Sequence, residues 1–293
     1  MVTHTQLEAE LDWTGERLVT QIDNDISTIE HLHRYALALE FVEEKYVLDI
    51  ASGEGYGSNL LAQKAKRVIG VDISKEAVEF ASQKYERSNL EFRYGTADRI
   101  PVEDKSVDIV VSFETLEHHH KHDEMMREIK RILKADGILI MSTPDKSIYE
   151  KRCPDNPFHL KEITFDEFKE LINKYFSSSV FLDQRIIFGS LITARGSNSH
   201  NEIRNYSGQF EYVQKGLISS PKLKFINQAF FSICLSSDQD ILFEASSFFD
   251  GGDIYEAIEE NYNKQIQELQ DRLKRYDSLI LLRAFRKIRN LFL

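Results

Sequence analysis

The feature that most constrains this chain is a glycine turn set between an apolar run and a helix. Tyr46-Val-Leu-Asp-Ile50 is short and apolar, and it runs directly into Ala51-Ser-Gly-Glu-Gly-Tyr-Gly57. A buried strand that breaks into closely spaced glycines and restarts as a helix brings bare backbone, and the positive end of a helix, up to a ligand. Asp49 stands at the end of this strand, and a second acidic residue, Asp72, closes the next one, Arg67-Val-Ile-Gly-Val71, where it can accept hydrogen bonds from ribose hydroxyls. The spacing Gly53-x-Gly55-x-Gly57 departs from the G-x-G-x-x-G of nicotinamide enzymes.

The rest of the chain keeps the same alternation. Leu32, Tyr35, Ala36, Leu39 and Val42 recur at helical spacing and predict a helix over 28–44 ahead of the first strand. Helices are predicted over 57–65, 75–88 and 123–133, and strands over 67–71, 90–94, 107–112 and 137–142. Thr164-Phe-Asp-Glu167 has the form of a capping box and predicts a helix over 164–175, followed by a strand over 179–188. Residues 189–224, rich in Ser, Asn and Gly, read as an irregular insertion before a last strand within Phe225 to Leu235. Strands alternating with helices imply an α/β doubly wound, mostly parallel sheet covered on both faces. The pattern divides the chain into an N-terminal lid or substrate segment (1–44), the doubly wound domain (45–250) and a C-terminal helical extension (254–293).

At this point the sequence resembles the class I S-adenosylmethionine-dependent methyltransferases, a Rossmann-like family, with several motifs in order. Val47-Leu-Asp-Ile-Ala-Ser-Gly-Glu-Gly55 is similar to the family's first motif and Val68-Ile-Gly-Val-Asp72 to its second. Gly95-Thr-Ala-Asp98 resembles the segment that holds the adenine, and Val107-Asp-Ile-Val-Val-Ser-Phe-Glu-Thr-Leu-Glu-His118 the fourth motif. Leu133-Lys-Ala-Asp-Gly137 resembles the turn before the fifth strand, with Ala135 and Asp136 where the family has Pro and Gly. The resemblance implies S-adenosyl-L-methionine as cofactor. It places Asp49, Gly53 and Gly55 along its methionine part, Asp72 at the ribose, Ala97 and Asp98 at the adenine, and Phe113 and Glu114 beside the sulfonium, with Ala51 and Ile73 also among the cofactor-binding residues. Gly57 is expected to serve helix packing instead.

The chemistry itself asks for positioning of a nucleophile and removal of its proton. His118, just after the fourth strand, is the candidate base, because an imidazole titrates near neutrality; His159 is the second catalytic candidate. The run His118-His-His-Lys-His122 is not expected to bind metal, since adjacent histidines point in different directions and no carboxylate pair at a recognised spacing accompanies them.

Three flanking segments, Trp13-Thr-Gly-Glu-Arg17, Glu30-His-Leu-His-Arg-Tyr35 and Asn156-Pro-Phe-His159, resemble segments of methyltransferases of bacterial surface-polysaccharide (O-antigen-type) biosynthesis. They imply that Arg17, His33, Arg34, Tyr35 and His159 line or close the site, and that the acceptor is a hydroxyl of a glycan or nucleotide-linked sugar. A small metabolite such as a quinone or lipid precursor is the alternative within enzymes; a cofactor-binding scaffold without turnover is the alternative outside them.

A formal net charge of −11 argues against nucleic-acid binding. Two distant cysteines indicate neither a disulfide framework nor a thiolate metal site and suit a reducing cytoplasm. No signal peptide and no membrane-spanning segment are expected. In the C-terminal extension Tyr262, Ile266, Leu269, Leu273, Tyr276 and Ile280 form a heptad seam, which predicts a coiled coil and a homo-oligomer. Leu281, Phe285, Ile288 and Phe292 share one face opposite Arg283, Arg286 and Lys287, as a helix lying on the inner face of a membrane would.

Overall fold

The computed structural model describes residues 26–152, 156–187, 189–194, 203–209, 212–216, 231–241, 243, 246–249 and 262–276. They fall into two units, one within Met1–Gly251 and one within Gly252–Leu293. Arg17, and the amphipathic face from Leu281 onward, lie outside the described residues.

In the first unit the apolar runs form strands and the 3.6-period runs form the helices between them. The order is α1 (Ile26–Ala38), β1 (Tyr46–Ile50), α2 (Tyr56–Leu61), β2 (Arg67–Asp72), α3 (Lys75–Lys84), β3 (Leu90–Tyr94), β4 (Val107–Phe113), a 3-10 turn (Leu116–His118), α4 (His122–Ile132), β5 (Leu133–Pro144), α5 (Lys146–Arg152) and α6 (Phe165–Tyr175). After these come β6 (Ser178–Ile187), β7 (Gly189–Ala194), β8 (Ile203–Gln209), β9 (Tyr212–Gly216), β10 (Phe231–Ser237) and β11 (Ser246–Phe249).

All the strands join one sheet of order β3-β2-β1-β4-β5-β10-β6-β7-β11-β8-β9. Strands β1 to β5 pair in parallel, and β10 enters antiparallel between β5 and β6. The doubly wound, mostly parallel architecture read from the sequence is therefore present. The irregular insertion expected over 189–224 is not: β7, β8 and β9 lie within it and extend the sheet. Ile192 of β7 and Tyr206 of β8 are buried. The short helix α5, absent from the sequence reading, follows β5 directly. The capping box is present in full, with Thr164 N donating to Glu167 Oε2 at 2.7 Å and Glu167 N to Thr164 Oγ1 at 3.3 Å.

The pleat separates the core into two faces. Leu48 and Ile50 of β1, with Val110 and Cys234, pack under Met125, Ile129, Phe168 and Ile172 of α4 and α6. On the other face Leu182, Ile192, Ile233 and Leu235 pack against Leu37 of α1. Strand order reverses between β1 and β4, so the helices following them leave to opposite sides and a crevice opens at the carboxyl ends of these strands.

Helix α1 is fixed over that crevice by Gly57. A Cβ built there would stand 1.9 Å from Cζ of Tyr35, so only a hydrogen lets the ring seat against α2. Gly57 thus serves packing, as expected. In the second unit residues 262–276 are helical, and Tyr262, Ile266, Leu269, Leu273 and Tyr276 are exposed. Among the described residues no helix is long and apolar enough to cross a membrane.

Substituting Gly57→Ala forces the Tyr35 ring or α1 to move and is expected to destabilise the fold by about 1–3 kcal/mol, the usual range for overpacking. Thermal unfolding measures it; an unchanged midpoint would show that Tyr35 does not depend on that space.

Candidate active site

The crevice is a cavity of about 1020 Å³. That is at the upper end of the range for small-molecule sites, about 300–1,000 Å³, and leaves room for two ligands side by side. One wall is built from the turn after β1. Ala51 and Gly53 adopt left-handed backbone (φ 57° and 53°), and Gly53 N donates to Asp72 Oδ2 at 2.8 Å. Ser74 N donates to Asp72 Oδ1, also at 2.8 Å, so the Asp72 carboxylate clamps the turns after β1 and β2 together at the cavity edge.

At the far end of the same wall stand Ala97 and Asp98. Asp98 accepts from Lys121 Nζ at 2.5 Å, and this hydrogen bond, foremost, holds its carboxyl below the usual range. Opposite, β4 delivers Phe113 and Glu114, the latter in left-handed backbone at φ 49°. A bulky residue held there is strained, and such strain clusters at ligand sites. Glu114 accepts from Ser142 Oγ at 2.6 Å and faces Arg34 Nη1 at 3.7 Å.

Of the residues expected at the cofactor, Ala51, Gly53, Asp72, Ile73, Ala97, Asp98, Phe113 and Glu114 line the cavity. Asp49 and Gly55 do not. Asp49 is fully buried behind the wall, where it accepts from Ser58 Oγ at 2.7 Å and from Tyr35 OH at 3.3 Å. Burial pushes its carboxyl up to about 7 against those hydrogen bonds, with nearby Asp72 adding to the rise. Gly55 (φ 88°) packs: a Cβ would meet Phe92 at 2.6 Å and Ala81 at 2.8 Å.

The substrate segment needs a second correction. Arg34 and Tyr35 line the cavity, but His33 points the other way, buried between Ser190 Oγ (2.7 Å) and Ser247 Oγ (2.9 Å). The histidine that reaches the cavity is His31, whose Nδ1 lies 2.9 Å from Tyr56 OH. Helical spacing explains the difference. Ser27, Glu30, His31 and Arg34 fall at i, i+3, i+4 and i+7 on one face, and His33 falls off it. That periodicity was the available signal.

The floor of the cavity carries a buried guanidinium. Arg34 donates from Nη1 to Gln184 Oε1 at 2.8 Å and lies over the Phe231 ring at 4.7 Å; its Nε and Nη2 have no hydrogen-bond partner among the described residues.

The 3-10 turn and the loop after α5 meet at the same cavity in a corner that sequence reasoning saw only in part. Leu160 N and Lys161 N donate to the Glu117 carbonyl at 2.8 and 3.0 Å, which pins that loop to the turn. His118 and His159 come edge to face with ring centroids 5.2 Å apart, and Tyr149 stacks on His159 at 4.7 Å. The Glu117 carboxylate, between them, was missed because a lone glutamate in a helical turn carries no spacing signal. It is fully buried, accepts from Thr143 Oγ1 at 3.1 Å through Oε2, and has no partner at Oε1. Burial, with Glu114 adding to it, pushes its carboxyl well above the usual range.

Residues 48–141 match the family model described as a methyltransferase domain. The fold is that of the class I methyltransferases. A probable S-adenosylmethionine-dependent methyltransferase of Mycobacterium tuberculosis is 33% identical over 171 residues, 57% of this chain and 62% of that protein. Another, of Mycolicibacterium smegmatis, is 32% identical over 169 residues, covering 57% of this chain and 65% of its own length. This chain thus spans less than two thirds of these curated relatives. Among solved structures, a methyltransferase of Thermotoga maritima described as a possible histamine N-methyltransferase superposes with a TM-score of 0.50 at 18% identity, covering 72% of this chain and 90% of that one. The methyltransferase domain supplies the Gly53–Asp72 wall, and the corner is completed by His159 from beyond its matched end.

A pH dependence follows from Asp49. Its carboxyl holds a proton in the fold up to about pH 7, whereas in the unfolded chain it ionises near its ordinary value of about 3.9. The fold therefore binds the extra proton between these limits. Stability tied to Asp49 is complete below about pH 4, declines toward pH 7 by up to about 1.4 kcal/mol per pH unit, and is flat above. Denaturant unfolding of wild type and Asp49→Asn from pH 4.5 to 8 checks this: the difference between the two should narrow or reverse as pH rises, and parallel curves would contradict it.

Proposed function

We propose that the chain binds S-adenosyl-L-methionine along the Gly53–Asp72–Asp98 wall and transfers its methyl group to a hydroxyl held at the Glu117–His118–His159 corner. The carrying observation is that one cavity joins this wall to this corner. The residues fit the cofactor. Asp72 presents a carboxylate fixed by two backbone amides for the ribose, and Ala97 and Asp98 flank the place of the adenine. The buried Arg34, with two donors unmatched, offers positive charge to a carboxylate at the methionine end. Asp72 and Glu114 stand on the remaining sides and suit a sulfonium.

When bound, the cofactor supplies an electrophilic methyl: an oxygen–methyl bond forms as the sulfur–methyl bond breaks, its electron pair staying on sulfur. The protein's own part is to orient the hydroxyl and draw off its proton at the corner. His118 Nδ1 lies 3.1 Å from the Phe158 carbonyl, which can only accept, so Nδ1 carries the hydrogen and Nε2 the lone pair.

The lining also bears on the acceptor. Among the described residues the lining carries the carboxylates of Glu30, Glu54, Asp72, Asp98, Glu114 and Glu117 and the cations Arg34 and Lys121; Lys84 pairs with Glu54, Lys121 with Asp98, and Arg34 faces Glu114. The two phosphates of a nucleotide-linked sugar would meet more carboxylates than cations along this lining. Ile73, Phe158 and Leu160 are 68%, 42% and 54% exposed at the cavity. An uncharged acceptor with an apolar ring or chain, of the quinol or lipid-precursor class, fits this lining best. A phosphate-free glycan is the second reading, favoured by the aromatic faces of Tyr149, Phe158 and Phe231, on which a sugar ring can stack.

Calorimetry with S-adenosylmethionine should show one site, weakened at least tenfold, about 1.4 kcal/mol, by Asp72→Asn. Methyl-transfer assays should favour quinols over nucleotide sugars. His118→Ala should lower kcat by about 10²–10⁴ while leaving cofactor affinity within twofold. A wild-type protein that binds no cofactor would overturn the proposal.

A further inference from the structure

The corner has a composition that proton transfer alone does not require. The donor atoms of Glu117, His118 and His159 all lie within 4.8 Å of one another. We propose that this corner binds one divalent first-row transition-metal ion, held by Glu117 Oε1 and the Nε2 atoms of His118 and His159, with an open position facing the cavity.

Four features carry the inference. First, both imidazoles are set for ligation through Nε2. His118 Nδ1–H donates to the Phe158 carbonyl at 3.1 Å, and His159 Nδ1–H to the Glu162 carboxylate at 2.6 Å. A histidine whose second nitrogen is held by a carbonyl or carboxylate is the arrangement found around protein-bound metals, where the outer partner fixes the tautomer and makes the ligand more basic. Second, Glu117 Oε1 is buried without a hydrogen-bond partner. A buried carboxylate oxygen left unmatched is costly, and a cation is a partner that removes the cost.

Third, the frame is held from several sides. The loop carrying His159 is tied to the Glu117 carbonyl by two amides, Asn156 Nδ2 donates to Tyr149 OH at 3.0 Å, and Tyr149 stacks on His159. Ligands at about 2.1 Å from an ion stand closer to one another than 4.8 Å, so binding draws the three side chains inward by rotation about this frame. Fourth, two imidazoles and one carboxylate leave a coordination position free. This is the ligand count of catalytic rather than structural metal centres, and the imidazoles favour zinc, cobalt, iron or nickel over magnesium or calcium.

The position of the corner gives the ion a task, which rests on the methyl-transfer reading although the binding itself does not. A hydroxyl coordinated at the open position becomes more acidic, as metal-bound water does. Its O–H bond then breaks with the proton passing to solvent water and the electron pair remaining on the oxygen that the ion holds. On this account His118 is a ligand, and the ion activates the hydroxyl.

The test uses the full chain, stripped of metal with a chelator and titrated with Co²⁺ followed by visible absorption, and with Zn²⁺ by calorimetry, in the absence of cofactor. The expected result is one equivalent bound, with tetrahedral or five-coordinate cobalt bands. Binding should be lost in Glu117→Gln and His159→Ala, and weakened about 10- to 100-fold in Glu162→Gln, which touches only the outer partner. Because Glu117 is buried, the half-buried His118→Ala provides a second ligand variant, and thermal unfolding confirms that each variant folds. S-adenosylmethionine affinity is measured on the same samples and should stay within twofold. No stoichiometric binding to the wild type, or binding indifferent to these substitutions, overturns the metal centre. If cofactor binds while cobalt does not, methyl transfer stands with an imidazole base and the metal proposal falls. If cobalt binds at these residues while cofactor does not, the metal centre stands and the methyl-transfer reading falls.

Discussion

Arg34 carries a full positive charge into the floor of the cavity with none of its side chain exposed, and the elements around it are arranged on that account. Gln184 of β6 accepts from it, Glu114 at the end of β4 faces it, and the rings of Phe113 and Phe231 cover it from β4 and β10. Gln184 in turn donates to the Glu30 carbonyl and to Ser190, so the same contact ties α1 to β6 and β7. A buried cation tolerates no loose packing around it, because each displaced partner leaves charge in a low-dielectric interior. The position of α1 over the switch point is therefore fixed by electrostatics as much as by apolar packing.

That fixed helix determines the shape of the site. Tyr35, the next residue, lays its ring against Gly57 and its hydroxyl on Asp49, closing the back of the glycine turn. The turn then has one free surface, toward the cavity, where Ala51 and Gly53 hold left-handed backbone and Asp72 pins Gly53 N. Glu114 holds the same unfavourable region on the adjacent strand. Strain at the ends of both central strands, set against a rigid α1, is the expected pattern for a preorganised ligand wall.

The parts of this design that were legible in the sequence are those where one residue type serves one local purpose. Apolar runs announced most of β1 to β5, the glycines announced the turn, Asp72 stood at the end of β2 and Asp98 in the loop after β3. Legibility failed where side-chain direction decides. Asp49 and Gly55 belong to the turn, yet they support it from behind, because the pleat sends Asp49 inward to Ser58 and Gly55 faces Phe92. His33 and His31 differ by two residues on one helix and face opposite ways, so composition alone could not choose between them. The strands β7 to β9 fall in a stretch whose Ser, Asn and Gly content reads as loop.

The corner was the least legible part, and the reason is the distance along the chain between its members. Glu117 and His118 leave β4 in a 3-10 turn, while His159 arrives after β5 and α5; the amides of Leu160 and Lys161 on the Glu117 carbonyl and the His118 Nδ1–H on the Phe158 carbonyl bring the two together. Each of these bonds ends on a backbone carbonyl, so no spacing of side chains records them. The run of histidines divides: His119 and His120 line the cavity with His118, His119 reaching Met125 Sδ, while His122 is buried at the start of α4. The corner that the fold assembles takes one member of the run, His118, and joins it to residues distant in the chain. Since His159 lies beyond residue 141, where the family match ends, the matched domain supplies the Gly53–Asp72 wall and the loop after α5 completes the corner. Because the bonds that join this loop to the 3-10 turn all end on backbone carbonyls, side chains elsewhere in the loop can change without disturbing the wall.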